Sequence, residues 1–163
     1  MNVLFVCTGN TCRSPMAEAL LRHKSKKIKV KSSGIFAHDG APMNDNAVEA
    51  LHQMGINAHV HRSQTTTADL IDWADLVLAM TESHKQMIIN EFSNEQGKIF
   101  TLKGYTENEK RSEAASCNED IQDPFGMDIQ QYLMTLSELD IYINALIDKL
   151  DLGDNDNEEE TFV

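Results

Sequence analysis

Cysteine is scarce in this chain: the 163 residues include only three, Cys7, Cys12 and Cys117. A small, odd number of cysteines does not make a disulfide framework, so we expect reduced thiols and a cytoplasmic protein. Long apolar runs are also missing, which predicts no membrane partner and no membrane span. The chain leads straight into a short strand without a basic segment or an apolar run before it, so we expect no secretory signal.

Basic residues are scarce in the second part of the chain. Residues 1–102 carry ten acidic and ten basic residues, whereas residues 103–163 carry sixteen acidic and four basic ones, giving the net charge of −12. Without surplus basic residues to neutralise phosphates, nucleic acid is excluded as a partner. We interpret the acidic surplus as a solvated loop at 103–122 and a disordered acidic tail at 153–163, following one domain at 1–152.

Motifs for common cofactors are missing as well. The chain contains neither G-x-G-x-x-G nor G-K-[ST], which leaves dinucleotide and nucleotide chemistry without support. No pattern of residues indicates a metal site, so we expect no metal and no organic cofactor.

What the sequence does contain is an alternation of short apolar runs and amphipathic stretches. The apolar runs predict strands at 3–7, 28–34, 76–80 and 99–102. The amphipathic stretches predict helices at 15–23, 44–54, 67–73, 82–92 and 129–150, with a long polar connection at 103–128. Strands that alternate with helices predict an α/β fold, a single three-layer domain with a parallel sheet of about four strands and helices on both faces.

The segment CTGNTCRS at residues 7–14 lies between the first strand and the first helix. Gly9 and Asn10 tolerate a positive φ, so a short loop here can turn successive N–H groups inward as a nest for an anion. The following helix, with Ser14 as its cap and Pro15 as its first residue, adds further N–H groups and the positive end of its dipole. We therefore predict a phosphate-binding loop after the first strand, called the phosphate loop (residues 7–14) below.

Cys7 and Arg13 bracket the phosphate loop. Arg13 can hold a phosphoryl group with two parallel N–H donors, which a lysine cannot do. The positive ends of the loop converge on Cys7, which favours its thiolate, and a thiolate beside bound phosphate is a nucleophile for phosphoryl transfer. The alternative is that Cys7 is a small buried core residue. The residues predicted to bind phosphate are Thr8, Gly9, Asn10, Thr11, Cys12, Arg13 and Ser14.

CTGNTCRSP and the DPFG segment at 123–126 together resemble the low-molecular-weight protein tyrosine phosphatase family. The similarity covers most of residues 2–150. It implies a cysteine-dependent protein phosphatase that acts on phosphorylated proteins and forms a phosphocysteine on Cys7. It also implies that Arg13 stabilises the transition state and that Asp123 is the general acid. By turn chemistry alone, the Asp-Pro pair would be an ordinary turn.

The same resemblance assigns supporting roles around the phosphate loop. Asn10, Ser32 and His61 match family positions that brace this loop by hydrogen bonds. Ser14 matches a serine whose hydroxyl donates to the cysteine thiolate. For His61, an ordinary core or surface histidine is the alternative.

Cys12 matches a second cysteine of the family. Five residues from Cys7 across a tight loop, it can trap an oxidised Cys7 as a disulfide, so we predict that the enzyme is redox-sensitive. The alternative is a small buried residue. Cys117 receives no role.

Thr11 bears on the substrate. Tyrosine-directed members of the family typically place Ile or Leu at this position, whereas the branch that resembles protein arginine phosphatases has Thr, and CTGNTCRSPMAE reads like that branch. A hydroxyl can hydrogen-bond to phosphate or a guanidinium, and polar sites discriminate better than apolar ones. We therefore expect hydrolysis of phosphoarginine in proteins. Phe36 and Phe125 are expected to wall the pocket entrance.

Three alternatives stay open. The first is a tyrosine phosphatase of the same family. The second is an arsenate reductase, which is less favoured because only Cys117 follows the loop where such enzymes use a cysteine pair. The third is a phosphate-binding module without catalysis, which would lack the nucleophile or the acid. The identity of the substrate proteins and the oligomeric state are left open.

Overall fold

The computed structural model describes residues 1–92, 97–107 and 118–158, with side chains up to Asp151. Its four strands are β1 (Asn2–Cys7), β2 (Lys29–Gly34), β3 (Leu76–Ala79) and β4 (Ile99–Thr101). They form one sheet in the order β2-β1-β3-β4, and every pair is parallel. The predicted parallel sheet of four strands is confirmed.

The helices are α1 (Arg13–Lys24), α2 (Asp45–Gln53), α3 (Ala68–Trp73), α4 (Glu82–Glu91), α5 (Leu102–Glu107) and α6 (Ile129–Glu158). Side chains of Asn44, Thr67 and Thr81 cap α2, α3 and α4 by accepting from backbone N–H groups of their first turns. These caps satisfy donors that would otherwise lack partners, which explains why the three helices begin where they do.

The central strand β1 is buried on both faces, because its side chains alternate between two cores. Val3 and Phe5 belong to one core, together with residues of α1, α2 and α6. Leu4 and Val6 belong to the other core, together with residues of α3 and α4. This arrangement confirms the predicted three layers.

The long C-terminal helix covers the larger core with one apolar stripe. Leu136, Ile143 and Leu146 are buried, as the periodicity predicted. Tyr132 and Leu139 are fully buried on the same stripe, and the prediction omitted both. Tyr132 of this helix extends to the functional site.

Two predicted boundaries are wrong. The polar connection predicted at 103–128 begins with a short helix, α5, which packs against α6; six residues are too few to show a helical period in sequence. Helix α6 does not end at Leu150 but continues to Glu158, into the predicted acidic tail. A helix anchored by packing propagates at little cost, because each added residue gains a hydrogen bond. Residues 108–117 and 159–163 lie outside the described part of the chain.

The sheet topology determines where a ligand can bind. Cys7 ends β1 opposite Gly34, and Ala79 ends β3 opposite Val6. The loops after β1, β2 and β3 therefore gather at one edge, and the carboxyl edge of a parallel sheet is where such folds bind ligands. Within the described ranges, no helix is long and apolar enough to cross a membrane.

Candidate active site

The phosphate loop leaves β1 at Cys7 and enters α1 at Arg13. Of Gly9 and Asn10, the two residues expected to tolerate a positive φ, only Asn10 adopts one, with a φ of 56°. The predicted cap is wrong: Cys12, not Ser14, occupies the N-cap position, and no side chain caps the helix there. Ser14 and Pro15 lie inside the first turn, because the helix begins at Arg13, two residues before the predicted first residue.

Cys7 lies at the base of this loop, almost completely buried. Its Sγ lies 2.9 Å from Ser14 Oγ. The Ser14 hydroxyl also lies 3.3 Å from the Ser33 carbonyl, which can accept its hydrogen. Since a hydroxyl has one hydrogen, Ser14 can donate to Ser33 when Cys7 is a thiol and to Cys7 when it is a thiolate.

The cavity above Cys7 has a volume of about 180 Å³. It is lined by Cys7, Thr8, Gly9, Thr11, Cys12, Arg13, Asp123 and Phe125. The structure therefore brings the predicted nucleophile, arginine and acid together with Thr11 in one small cavity.

Asn10 is the centre of a buried hydrogen-bond network. Its Nδ2 donates to Ser14 Oγ at 2.9 Å and to Ser32 Oγ at 2.9 Å. Its Oδ1 accepts from the Gln64 N–H at 3.0 Å, and its carbonyl accepts from His61 Nε2 at 2.8 Å. Both of the supporting residues predicted from the resemblance, Ser32 and His61, thus contact Asn10.

Behind this network lies a carboxylate that the sequence analysis missed. Glu18 Oε2 accepts from Ser32 Oγ at 2.7 Å and lies 3.6 Å from His61 Nδ1. Burial alone would raise the pKa of Glu18, but the hydrogen bonds from His61 and Ser32 and the charge of Arg22 outweigh it, so its pKa is lowered. The ionised Glu18 therefore fixes the two side chains that hold Asn10.

The loop also lies against the end of β2. The backbone N–H groups of Ile35 and Phe36 donate to the carbonyls of Cys7 and Thr8. A Cβ on Gly34 would lie 2.5 Å from the Thr8 carbonyl oxygen. Glycine is required at this position because the two backbones approach too closely for a side chain.

Arg13 is buried, and its guanidinium is oriented by contacts with Ile121 and Asp123. Its Nη1 donates to the Ile121 carbonyl at 3.0 Å, and its Nη2 lies 3.3 Å from Asp123 Oδ2. A guanidinium carries five donors, so N–H groups remain for an anion in the cavity. The positive charge of Arg13 is thereby held above the thiol.

The loop that carries Asp123, called the acid loop (residues 118–128), is attached to the sheet edge by several contacts, including a hydrogen bond of 2.9 Å from Thr101 Oγ1 at the end of β4 to Glu119 Oε2. The Ile121 N–H donates to the Met80 carbonyl at 2.8 Å, and Ile121 is buried. Asp120 Oδ1 accepts from the Glu82 N–H at 2.9 Å, at the start of α4. These contacts bring Asp123 to the cavity, although the connection that precedes the acid loop is long.

The tip of the acid loop is exposed. Asp123 Oδ1 accepts from the Phe125 N–H at 3.1 Å, an Asx turn. Phe125 lines the cavity, as expected of a residue at the pocket entrance. Phe36 is exposed at the surface and is not among the cavity-lining residues, so the structure does not bring this predicted wall residue to the cavity.

Cys12 is a buried thiol beside the loop. Its Sγ lies 3.3 Å from Tyr132 Oη. Burial is the largest influence and raises the pKa of Cys12, although hydrogen bonds to Tyr132 and Thr11 oppose it. Neither Cys7 nor Cys12 is in a disulfide, and Cys117 lies outside the described residues.

His84 is a second residue that the sequence analysis missed. It lies in the first turn of α4, and its Nε2 is 2.8 Å from Thr8 Oγ1. The topology offered a signal: the helix after β3 begins at the same sheet edge as the phosphate loop, so polar residues of its first turn were candidates. Within the described residues, no cluster of side chains could hold a metal ion.

A buried cysteine at the base of an anion-binding loop, with an arginine and a carboxyl group beside it, defines a cysteine-dependent phosphatase. Comparison with known proteins then identifies the family. The family model described as low molecular weight phosphotyrosine protein phosphatase matches residues 2–155. The chain belongs to this family, as the motif resemblance indicated.

Individual relatives cover almost the whole chain. The protein-arginine-phosphatase of Geobacillus stearothermophilus is 44% identical over 149 residues, which span 91% of this chain and 95% of that protein. The structure of YwlE arginine phosphatase from the same organism has a TM-score of 0.87 at 42% identity and covers 95% of this chain and 96% of that one. A YwlE mutant with a phosphorylated active-site serine has a TM-score of 0.85 at 40% identity, covering 93% and 96%.

Proposed function

We propose that this chain is a protein-arginine phosphatase that hydrolyses phosphoarginine in proteins through a phosphocysteine on Cys7. One observation carries the proposal: Thr11 and Asp123 line the same small cavity as Cys7 and Arg13. The relatives named protein-arginine-phosphatase support it. A guanidinium substrate needs a carboxylate partner and a hydrogen-bonding wall, and these two residues supply both.

In the first step, the Cys7 thiolate attacks phosphorus while the bond between phosphorus and the arginine nitrogen breaks. Arg13 and the N–H groups of the phosphate loop bind the phosphoryl oxygens and stabilise the charge that develops on them. Asp123 donates its proton to the departing nitrogen, and the arginine leaves as a protonated guanidinium group. Ser14 donates to Cys7 before the attack, because the thiolate is the better acceptor.

In the second step, water attacks the phosphocysteine. Asp123, now a carboxylate, takes a proton from this water, and the sulfur–phosphorus bond breaks to release inorganic phosphate and the Cys7 thiolate. A bound phosphoryl dianion competes with Asp123 for Arg13, so substrate binding weakens the 3.3 Å ion pair and frees the acid.

The test of substrate class compares phosphoarginine, phosphotyrosine and phosphoserine peptides side by side, with Cys7→Ser as the blank. We expect phosphoarginine to be hydrolysed fastest. Thr11→Ile should shift the ratio of kcat/KM values toward phosphotyrosine by about tenfold, because an apolar side chain replaces a hydrogen-bonding one. Equal or better hydrolysis of phosphotyrosine by the wild type would make the enzyme a tyrosine phosphatase of the same family.

Redox sensitivity is part of the proposal. Peroxide oxidises the Cys7 thiolate to a sulfenic acid; the Cys12 thiol then displaces water from it to form a disulfide, which a dithiol reduces. The position of Cys12 in the wall of the same cavity as Cys7 supports this role. We expect dithiol to restore peroxide-treated wild type but not Cys12→Ser. Equal recovery of the two proteins would contradict the role.

We also propose a cellular compartment for the enzyme and bounds for its catalytic domain. A catalytic thiolate requires a reducing compartment, so we place the enzyme in the cytoplasm, with phosphorylated proteins as substrates. We propose that residues 1–152 form the phosphatase domain.

A further inference from the structure

His84 has no assigned role in the reaction described above, yet it contacts the phosphate loop directly. It is a buried polar residue, and its Nε2 lies 2.8 Å from Thr8 Oγ1. Thr8 follows the nucleophile immediately and lines the cavity. Helix α4 therefore contacts the phosphate loop at Thr8, through a hydrogen bond separate from the Asn10 network.

The imidazole of His84 is neutral at physiological pH. Burial and the nearby charge of Arg13 lower the pKa of His84 to about 4, although Asp120 and Asp123 act in the opposite direction. A neutral imidazole carries a single N–H. The position of that hydrogen determines whether Thr8 accepts from His84 or donates to it.

The surroundings of Nδ1 decide the position of this hydrogen. In the described part of the chain, His84 Nδ1 is buried and has no hydrogen-bond partner. A buried N–H without an acceptor is rarer in proteins than a buried acceptor without a donor. The hydrogen therefore lies on Nε2, and His84 donates to Thr8 Oγ1.

The Thr8 hydroxyl also carries a hydrogen atom of its own. A threonine hydroxyl that accepts from a fixed donor still donates one hydrogen. Among the described residues, no other group bonds to Thr8 Oγ1, and Thr8 is an exposed residue that lines the cavity. This hydrogen is available to an oxygen atom of a phosphoryl group held above Cys7.

We propose that His84 is a positioning residue, which accepts no proton in the reaction but turns the Thr8 hydroxyl toward the transferring phosphoryl group. This inference rests on the proposed function, since it needs phosphate bound in the loop. The hydroxyl adds one donor to those of Arg13 and the backbone. A donor placed before the reaction stabilises charge that grows in the transition state, so its loss lowers kcat.

A double-mutant cycle tests the proposal. The variants are His84→Phe, Thr8→Val and the combination, and the measured quantities are kcat and KM on a phosphoarginine peptide. We expect each single variant to lower kcat about tenfold with KM nearly unchanged, and the double variant to be no slower than Thr8→Val. His84→Gln, which retains an N–H donor of similar reach, should recover most of the activity.

Two further measurements separate this role from a structural one. His52→Phe, an exposed histidine on α2, serves as the control for a histidine-to-phenylalanine change. The unfolding midpoint of each variant is measured in parallel. If His84→Phe lowers kcat equally in wild type and in Thr8→Val, or if His84→Gln is as slow as His84→Phe, the positioning role is wrong. The role is also wrong if Thr8→Val leaves kcat unchanged. This substitution lies in the phosphate loop, so its effect on kcat does not depend on the packing of α4.

Failure of this inference differs from failure of the proposed function. A wild type that hydrolyses phosphoarginine rapidly while the Thr8 and His84 variants match it overturns only the inference. A wild type that releases no phosphate from phosphoarginine overturns the proposed substrate, and the same cycle is then run with a phosphotyrosine peptide. An additive effect of the two substitutions on that substrate contradicts the inference as well.

Discussion

The two halves of the active site are built differently. In the phosphate loop, Cys7, Asn10 and Arg13 are at most 5% exposed, and the side chain of each is hydrogen-bonded to other parts of the protein. In the acid loop, the Asp123 side chain is 49% exposed, and Phe125 is 68% exposed. The first half is held by buried hydrogen bonds, whereas the second is attached to the sheet edge near its start and is exposed at its tip.

The difference in burial indicates which half of the site can change its conformation. A buried polar group without a partner costs about 1–3 kcal/mol, so the network around Asn10 allows few alternative arrangements. The exposed tip of the acid loop carries no such penalty and can adjust to the leaving group. We infer that the phosphate loop sets the chemistry and that the acid loop contributes to the choice of substrate.

The largest expected effect is in the rigid half. Arg13→Lys removes the second donor and the hydrogen bond to the Ile121 carbonyl, and a lysine cannot adapt because the site is buried. We expect kcat/KM to fall about 10³-fold, measured by phosphate release. Arg62→Lys on the surface is the matched control and should change little. A loss below about tenfold would mean that the buried half is less rigid than its hydrogen bonds indicate.

A smaller effect is expected in the open half. Asp123→Asn removes the proton donor, and kcat on phosphoarginine should fall about 10²-fold. With p-nitrophenyl phosphate, whose leaving group needs no proton, the loss should be much smaller. Asp72→Asn, an exposed change on α3, is the control. If both substrates lost activity equally, Asp123 would act by holding Arg13 through the ion pair and not as the acid.

The smallest expected effect is on stability and depends on pH. The pKa of His84 is lowered from 6.5 to about 4, so as the pH falls below 6.5 the unfolded chain binds a proton that the folded protein rejects. The folded state therefore loses stability as the pH falls from 6.5 to about 4, by about 2 kcal/mol between pH 7 and pH 5. Urea unfolding at several pH values measures this.

Comparison with His84→Gln isolates the contribution of this histidine. The variant should show a flatter stability profile over the same pH range, because the titrating group is gone. Glu18 contributes only at lower pH, because its pKa is lowered below the ordinary value of 4.5 and it stays ionised above that. Parallel profiles for wild type and variant between pH 7 and pH 5 would contradict a buried neutral His84.

Prediction from sequence succeeded where the signal is local. The strand, the left-handed Asn10 and the helix around the phosphate loop lie within about twenty residues and follow from residue type and spacing. The stripe of α6 was also predicted, because periodicity is strong over many turns. Prediction failed for α5 and for the cap of α1, where short length or a tertiary contact outweighs local propensity.

The residues that hold the phosphate loop show even more clearly that prediction from sequence is limited to local signals. Ser32 and His61 were expected only because the sequence resembles a known family, and Glu18 and His84 were missed. Nothing near Glu18 in sequence indicates that its carboxylate contacts a serine on β2 and a histidine beyond α2. These contacts join residues far apart in the chain, and no local pattern encodes them.

Local sequence was enough to predict Cys7, Arg13 and the loop that joins them, because these residues are neighbours and their conformations follow from local sterics. The residues that hold that loop, and the path by which Asp123 reaches it, depend on tertiary contacts. Those contacts depend on the parallel sheet, which brings the ends of β1, β2 and β3 to one edge although their residues are distant along the chain.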